Sequence, residues 1–156
     1  TFKINYVISN CSNNYGPNQH TEKLIPTVIN SILNKTPIPV YGKGDNVRDW
    51  LYVEDHAKAI DLIFHQGVNG ETYNIGGDKE KSNLELIRIL CNEIDFILKS
   101  EDSSTELIEF VEDRKGHDFR YAIDCEKLKK ELGWEIETSF ITGIIKTINW
   151  YIKKLN

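Results

Sequence analysis

The sequence predicts an α/β or α+β fold, because strand-like and helix-periodic segments alternate along its 156 residues. Its length is typical of one domain and allows roughly two thirds of the unfolded surface to be buried. No internal repeat or low-complexity linker divides the chain. We therefore expect a single packed unit.

The first half of the chain contains three strand segments and two helices. Tyr6 to Cys11 is an apolar run that predicts a buried strand. Leu24 to Leu33 carries apolar residues three and four positions apart, which predicts a helix opening at Thr21 or Glu22. Two short strands follow around a glycine turn, and a helix then begins near Glu54, where an acidic side chain favours the helix dipole. These strands are Val40–Tyr41 and Trp50–Val53.

The second half alternates in the same way. Glu71 to Ile75 predicts a strand, and Ser82 with Glu85 forms a capping box that opens a helix reaching about Ile97. Leu107 to Val111 predicts another strand. Two helices complete the chain, one capped by Asp124 and closed by Gly133, and one running from Ser139 to near Lys154.

Two of the predicted strands are expected to share one parallel sheet. Asn5–Cys11 and Glu71–Ile75 are short apolar runs, as expected for strands covered on both faces. The remaining three strands are shorter and are expected to build a smaller unit on the ligand side. These are Val40–Tyr41, Trp50–Val53 and Leu107–Val111.

The composition excludes several classes of protein. With 24 acidic and 19 basic side chains the net charge is −5, which disfavours a general nucleic-acid binder. No apolar run approaches the ~18 to 20 residues of a membrane helix, and Thr1 to Tyr6 lacks a signal-peptide pattern. Three cysteines far apart in sequence fit neither a zinc site nor a disulfide framework, so we expect a reduced, cytoplasmic setting. A strand so near the first residue indicates a piece of a longer protein.

The sequence contains no complete catalytic motif. Its only G-x-G, Gly42 and Gly44, is followed three residues later by Val47, so the dinucleotide-binding fingerprint is absent. No tyrosine has a lysine four residues later, and G-x-S-x-G, HExxH and P-loop motifs are also missing. We therefore assign no catalytic residue and no metal ligand to this chain.

Polar and cationic residues instead occur in loops that follow strands. Ser12 to Pro17 comes after the first strand, at the sheet edge where α/β folds bind ligands, although an ordinary turn explains it equally. Arg48 offers a planar fork for phosphate, with a local salt bridge to Asp45 or Asp49 as the alternative. Asp113 to Asp118 groups three cationic side chains around a glycine, either as an anion-binding loop or as a solvated charge run.

Six motifs, in this order, resemble the C-terminal half of the dTDP-glucose 4,6-dehydratase family of extended short-chain dehydrogenases/reductases. The resemblance covers about Asn5 to Trp150, and the fourth and sixth motifs are the most specific. The motifs are S-N-N-Y-G-P (12–17), E-K-L-I-P (22–26), Y-G-K-G-D (41–45), R-D-W-L-Y-V-E-D-H-A (48–57), G-E-T-Y-N-I-G-G (70–77) and G-H-D-x-R-Y-A-I-D (116–124).

The resemblance implies that residues 1–156 form the substrate-binding portion of a Rossmann-like α/β fold. This portion comprises a small α+β substrate-binding unit and the last strands and helices of the Rossmann-like domain. The N-terminal cofactor-binding half is expected to be absent from the chain, together with its glycine-rich loop, its catalytic Tyr-x-x-x-Lys and its Thr-Asp-Glu. We therefore expect the chain alone to be inactive.

The resemblance also implies a role for each matching residue. Asn13 would contact the substrate pyrophosphate or hexose, and Asn14 would lie toward the nicotinamide of NAD. Arg48 would bind the pyrophosphate, and Asn83 would reach the nucleoside. Lys23 and Leu24 would line the phosphate and nucleoside path, Pro39, Val40 and Tyr41 would hold the pyrimidine base, and Asp113, Arg114, Lys115, Gly116 and His117 would close over the nucleotide. Lys115 replaces the family's usual proline, so this loop is expected to be less rigid and more cationic.

The implied activity of the whole protein is that of an NAD-dependent lyase of deoxysugar biosynthesis. It would convert dTDP-glucose into dTDP-4-keto-6-deoxyglucose and water, as a cytoplasmic homodimer. Two alternatives stay open. One is a fragment of a UDP-sugar 4-epimerase or decarboxylase, and the other is a non-catalytic module that binds nucleotide sugars.

Overall fold

The computed structural model describes residues 2–155, with side chains over residues 2–154. In this range eight strands and five α-helices alternate, and a short 3₁₀ helix (Ser104–Leu107) precedes β7. The strands are β1 (Ile8–Cys11), β2 (Asn13–Tyr15), β3 (Ile38–Tyr41), β4 (Val47–Tyr52), β5 (Thr72–Ile75), β6 (Glu80–Ser82), β7 (Ile108–Val111) and β8 (Arg120–Tyr121). The helices are α1 (Leu24–Leu33), α2 (Val53–Gln66), α3 (Asn83–Leu98), α4 (Glu126–Leu132) and α5 (Phe140–Leu155).

The strands form three small sheets, and parallel pairing predominates. β1 pairs with β5 in parallel, with Ile8 opposite Thr72, which confirms the predicted shared sheet. β3 pairs with β7 in parallel, with Ile38 opposite Ile108. The third sheet has the order β2-β4-β6, with β8 also paired to β4.

The strand at Trp50 packs in the same hydrophobic cluster as Val40 and Ile108, but it is not paired with β3 or β7. β4 pairs with β2, β6 and β8 instead. The intervening turn contains Gly42 and Gly44, both with positive φ, and it carries the chain out of the sheet of β3. β4 also begins at Val47, earlier than predicted, and this extension supplies the positions that pair with β6 and β8.

The predicted loop at Ser12 to Pro17 contains a strand. β2 pairs in parallel with β4, with Asn13 opposite Trp50. Tyr15 is only 1% exposed, packs edge-on against the Tyr52 ring, and donates a 3.0 Å hydrogen bond from its hydroxyl to the Phe140 carbonyl. Burial of this one aromatic side chain outweighs the turn propensity of its polar neighbours.

β1 is more exposed than the predicted buried strand. Ile8 is 47% exposed, because β1 pairs only with β5 in the described part of the chain. Only Val7 and Cys11 pack against the adjacent core. The apolar run predicted the strand correctly, but the first three residues of β1 are exposed within the part of the chain that the structure describes.

Local capping signals mark the start of α3, the end of α4 and the start of α5. The capping box of α3 is confirmed, because the Ser82 hydroxyl accepts from the Glu85 N–H at 3.2 Å while the Glu85 carboxylate accepts from the Ser82 N–H at 2.8 Å. α4 ends at Gly133 with φ 68°, and the Ser139 hydroxyl accepts from the Thr142 N–H at the start of α5. α1 begins at Leu24, later than predicted, and has no side-chain cap.

Two hydrophobic clusters lie on opposite sides of β4. Trp50 and Tyr52 belong to the larger cluster, which is formed with α1, α3 and α5. Leu51 belongs to the smaller cluster, beside α2, α4 and β5. Successive strand residues point to opposite faces, so Arg48 shares the face of Trp50. No helix among residues 2–155 has the length and apolar character needed to cross a bilayer.

Candidate functional site

A cavity of about 390 Å³ lies where α1, β3, β4, the start of α3 and the loop after β7 meet. Part of the lining is apolar, and part of it consists of cationic and amide side chains. The lining residues are Asn13, Glu22, Lys23, Leu24, Thr27, Pro39, Val40, Tyr41, Arg48, Trp50, Asn83, Ile87, Arg114 and His117.

Ten of the residues singled out from the sequence line this one cavity, although they come from six separate segments. They are Asn13, Lys23, Leu24, Pro39, Val40, Tyr41, Arg48, Asn83, Arg114 and His117. Asp113, Lys115 and Gly116 lie on the same loop as Arg114 but are not among the lining residues. Asn14 does not line the cavity either, as expected for the residue that follows Asn13 in a strand.

The Arg48 guanidinium is held by two backbone carbonyls. It donates to the Val47 carbonyl at 2.7 Å and to the Asp118 carbonyl at 2.8 Å. Among the described residues neither Asp45 nor Asp49 forms an ion pair with it, so the local salt bridge is wrong. The Asp49 carboxylate instead accepts from the backbone N–H groups of Gly77 and Lys79, at 2.7 and 2.8 Å. The positive charge of Arg48 is therefore available to a ligand.

The loop after β7 carries a connected polar group, two members of which, Arg114 and His117, line the cavity. The His117 Nδ1–H donates to the Asp113 carboxylate at 2.8 Å, and the His117 Nε2 lies 3.4 Å from the Arg114 guanidinium. That guanidinium lies over the Tyr41 ring, 4.6 Å from its centroid. The hydrogen bond from His117, followed by one from the Arg114 N–H, holds the pKa of Asp113 below its usual value.

The charge of the cavity is opposite to that of the whole chain. Lys23, Arg48 and Arg114 contribute three positive charges and Glu22 one negative charge, while the chain carries a net charge of −5. Guanidinium groups bind phosphate oxygens through parallel hydrogen bonds. Pro39, Val40 and Tyr41 of β3 add an apolar part of the lining, against which an aromatic ring can pack. The arrangement suits a ligand with a planar base and one or more phosphates.

Sequence reasoning missed four lining residues, which are Glu22, Thr27, Trp50 and Ile87. Three of them follow from periodicity. Thr27 and Ile87 each lie four residues after a singled-out residue in a helix, and Trp50 lies two residues after Arg48 in a strand, so each shares a face with that residue. Glu22 has no such signal beyond its position next to Lys23.

Asn14 offers a buried acceptor outside the cavity. Its Nδ2 donates to the Cys11 sulfur at 3.3 Å and to the Ser12 carbonyl at 3.2 Å. Its Oδ1 is buried and has no hydrogen-bond partner within the described residues. A buried carbonyl oxygen of this kind fits a donor from a bound group. Among residues 2–154, no cluster of three or more His, Cys, Asp or Glu side chains is placed to hold a metal ion.

Comparison with known proteins agrees with the resemblance. Residues 1–147 match the family model described as GDP-mannose 4,6 dehydratase. The chain is 50% identical over 156 residues to the dTDP-glucose 4,6-dehydratase of Escherichia coli, covering 100% of this chain and 43% of that protein. It is 47% identical to the Neisseria gonorrhoeae enzyme, covering 97% of this chain and 45% of that protein.

Solved structures give the same relationship. The NAD complex of dTDP-glucose 4,6-dehydratase from Bacillus anthracis superposes with a TM-score of 0.83 at 46% identity, over 94% of this chain and 44% of that one. The Streptomyces venezuelae dTDP-glucose 4,6-dehydratase, also solved with NAD, superposes with a TM-score of 0.91 at 40% identity, over 98% of this chain and 45% of that one. A UDP-glucose 4-epimerase from Thermotoga maritima, at 24% identity and a TM-score of 0.85, shares the fold.

The chain thus spans less than half the length of the relatives it matches, and its α/β fold with parallel sheets is the one they share. The match to the family model extends over nearly the whole chain. The chain belongs to the GDP-mannose 4,6-dehydratase family and is homologous, at about 50% identity, to NAD-dependent dTDP-glucose 4,6-dehydratases.

Proposed function

We propose that this chain is the C-terminal, substrate-binding portion of a dTDP-glucose 4,6-dehydratase, a lyase that forms dTDP-4-keto-6-deoxyglucose and water. The observation that carries the proposal is the convergence of Lys23, Arg48 and Arg114 on one cavity with an apolar wall. The relatives at 46 to 50% identity that carry this name support the choice of reaction.

In this proposal the nucleotide lies along the cavity with its base against β3. Pro39, Val40 and Tyr41 provide the apolar wall for the pyrimidine, and Leu24 adds a further apolar side chain to the cavity. The Asn83 amide, at the start of α3, can donate to and accept from the nucleoside.

The diphosphate lies between Arg48, Lys23 and Arg114, where the positive charge is concentrated. Asn13, at the end of the cavity nearest β2, contacts the pyrophosphate or the hexose. The loop from Asp113 to His117, with Lys115 and Gly116 at its tip, closes over the nucleotide.

The remaining half of the protein is proposed to dock against β1. One edge of β1 has no partner among the described residues, and Phe2, Ile4, Tyr6 and Ile8 are between 47% and 84% exposed. An apolar strand with a free edge is a template for a further parallel strand. The docked half would supply the catalytic residues and the helices of a homodimer, and the assembled enzyme is expected in the cytoplasm.

NAD is proposed to bind mainly to that other half, because this sequence has no glycine-rich cofactor loop. Asn14 fits one contact to it, since its buried Oδ1 lacks a partner and its strand ends at the edge where α/β folds bind cofactors. When bound, NAD supplies the group that accepts and returns a hydride. The role of this chain is to hold the sugar nucleotide.

Calorimetric titration with dTDP, UDP and thymidine tests the proposal. We expect dTDP to bind and thymidine to bind at least about tenfold more weakly, because it lacks the charged oxygens that the cations contact. Lys23→Gln should weaken dTDP binding. Lys58→Gln, which removes a cation in a separate groove beside α2, should leave it unchanged. A chain that fails to bind dTDP contradicts the proposal, and equal binding of UDP favours the UDP-sugar alternative.

An activity assay separates the binding portion from the catalytic one. Incubated with NAD and dTDP-glucose, the chain alone should form no 4-keto-6-deoxy product, because hydride transfer needs a positioned nicotinamide. Turnover above a contaminant-controlled blank would show that the chain contains catalytic residues of its own.

A further inference from the structure

The Asp118 carbonyl oxygen receives hydrogen bonds from two side chains of the segment that contains β4. The Arg48 guanidinium donates to it at 2.8 Å, and the Asn46 amide donates at 3.1 Å. Asn46 is 7% exposed, and its backbone carbonyl accepts from the backbone N–H of Asn83 at the start of α3. The position of the Asp118 carbonyl therefore helps to set the direction of the Arg48 side chain.

The Asp118 carbonyl is itself held by the strand that follows it. The next carbonyl, that of Phe119, accepts from the Val47 N–H at 2.7 Å, and β8 then pairs in parallel with the first residues of β4. Arg120, in β8, donates two hydrogen bonds to the Glu80 carboxylate, at 2.7 and 2.6 Å. Two parallel bonds of this kind fix the orientation of both groups.

The ion pair of Arg120 and Glu80 spans β4. Glu80 lies on β6, opposite Asp49 of β4, while Arg120 lies on β8, opposite Val47 of the same strand. The pair thus connects two strands that both pair with β4, and by their register both residues lie on the face of β4 opposite the Arg48 side chain. Neither residue lines the cavity, so neither can contact a ligand held there.

We infer that Arg120 and Glu80 are positioning residues, which hold β8 and its preceding carbonyl so that the Arg48 guanidinium faces the cavity. The inference rests on the proposed function, in which Arg48 binds a diphosphate. A side chain oriented before binding loses less conformational freedom on binding, so the pair raises affinity without touching the ligand. The two side chains are 59% and 40% exposed, and surface ion pairs of this kind contribute little to overall stability.

Arginine-selective NMR of the free chain provides the first test. The Arg48 guanidinium should show slow rotation about its Cζ–Nε bond in the parent, because two carbonyls hold it. Arg120→Gln should make that rotation fast. Lys127→Gln is the matched control, since it removes a pair with Glu71 of comparable exposure, at 2.5 Å, on another part of the surface. The control should leave the Arg48 signals unchanged.

Affinity for dTDP provides the second test. Arg120→Gln should weaken binding about five- to tenfold, as expected for groups coupled through one hydrogen-bond network, and should leave thymidine binding unchanged. Arg120→Lys, which keeps the charge but cannot form two parallel bonds, should show a loss of the same kind. The exchanged pair Glu80→Arg with Arg120→Glu should restore both the Arg48 signals and the affinity.

The outcomes separate this inference from the proposed function. A parent chain that does not bind dTDP contradicts the proposed function, while the Arg48 signals of the free chain still test the positioning role. Unchanged Arg48 signals in the Arg120→Gln variant overturn the inference. A loss that the exchanged pair does not reverse also overturns it, because the contact between the two residues would then not be its cause.

Discussion

Replacing Arg48 with lysine should weaken the binding of dTDP by about ten- to a hundredfold. A guanidinium has five N–H donors, and two of them are used on the carbonyls of Val47 and Asp118. The remaining donors can form parallel bonds to a diphosphate, an arrangement that an ammonium group cannot reproduce. A hydrogen bond to a charged group contributes roughly 1.5 to 3 kcal/mol, and each 1.4 kcal/mol corresponds to about tenfold in affinity.

Titration calorimetry of both variants at low and high salt measures this effect. Lys23 and Arg114 line the same cavity, so part of the attraction to the diphosphate is shared. The difference in dTDP affinity between the parent and the Arg48→Lys variant should therefore shrink at high salt, where screening reduces the contribution of charge. Arg88→Lys is the matched control, because Arg88 lies on the exposed side of α3 and does not line the cavity.

The same substitution has a different expected effect on stability. Arg48 loses at most its two bonds to backbone carbonyls, so the free energy of unfolding should fall by no more than about 3 kcal/mol. If the lysine variant binds dTDP as tightly as the parent, Arg48 is structural and the anchoring role is wrong. A large loss of stability with unchanged affinity leads to the same conclusion.

Three further outcomes are expected from burial and local contacts. Asp49 is 1% exposed and its carboxylate accepts from two backbone N–H groups, so Asp49→Ala should lower the free energy of unfolding in urea by about 3 kcal/mol. His117→Leu should raise the pKa of Asp113, which an NMR titration measures. In the parent, the stabilisation from the His117–Asp113 hydrogen bond is present above the ordinary carboxylate pKa and is lost as the pH falls through the lowered pKa of Asp113. Burial raises the pKa of the Cys91 thiol to about 11, so iodoacetamide at pH 8 should label the half-buried Cys11 first, and equal labelling by mass spectrometry would contradict this.

Local signals in the sequence predicted most of the elements. The capping box at Ser82 and the glycine at 133 act within one helical turn, so the bounds of their helices could be inferred from neighbouring residues. The parallel pairing of β1 with β5 could also be inferred, because both are short apolar runs. The strand β2 could not be inferred from neighbouring residues, since its conformation depends on Tyr15 packing against Phe140, which lies 125 residues away in sequence.

The candidate site was predicted through the resemblance rather than through composition. Residues such as Asn13, Arg48 and Arg114 are separated by long stretches of chain, and no periodicity connects them. Local reasoning left a salt bridge to Asp45 or Asp49 as the alternative for Arg48. The contacts of the described residues removed it, because Arg48 donates to two backbone carbonyls and the Asp49 carboxylate accepts from backbone N–H groups. The orienting contact from Asp118 depends on a strand pairing 70 residues away, which the sequence does not reveal.

Two of the motifs that carry the resemblance are in direct contact, and the contact explains why both are needed. The R-D-W segment of β4 meets the two glycines that follow β5. A Cβ at Gly77 would lie 1.9 Å from the Trp50 carbonyl oxygen, so only glycine allows this approach. The close approach brings the Gly77 N–H to the Asp49 carboxylate, on the face of β4 opposite Arg48. β4 thus contacts β5 and the glycines after it through Leu51 and Asp49, and it faces the cavity through Arg48 and Trp50. A substitution at Gly77 should therefore displace the backbone of β4 and, with it, the cavity side chains of Arg48 and Trp50.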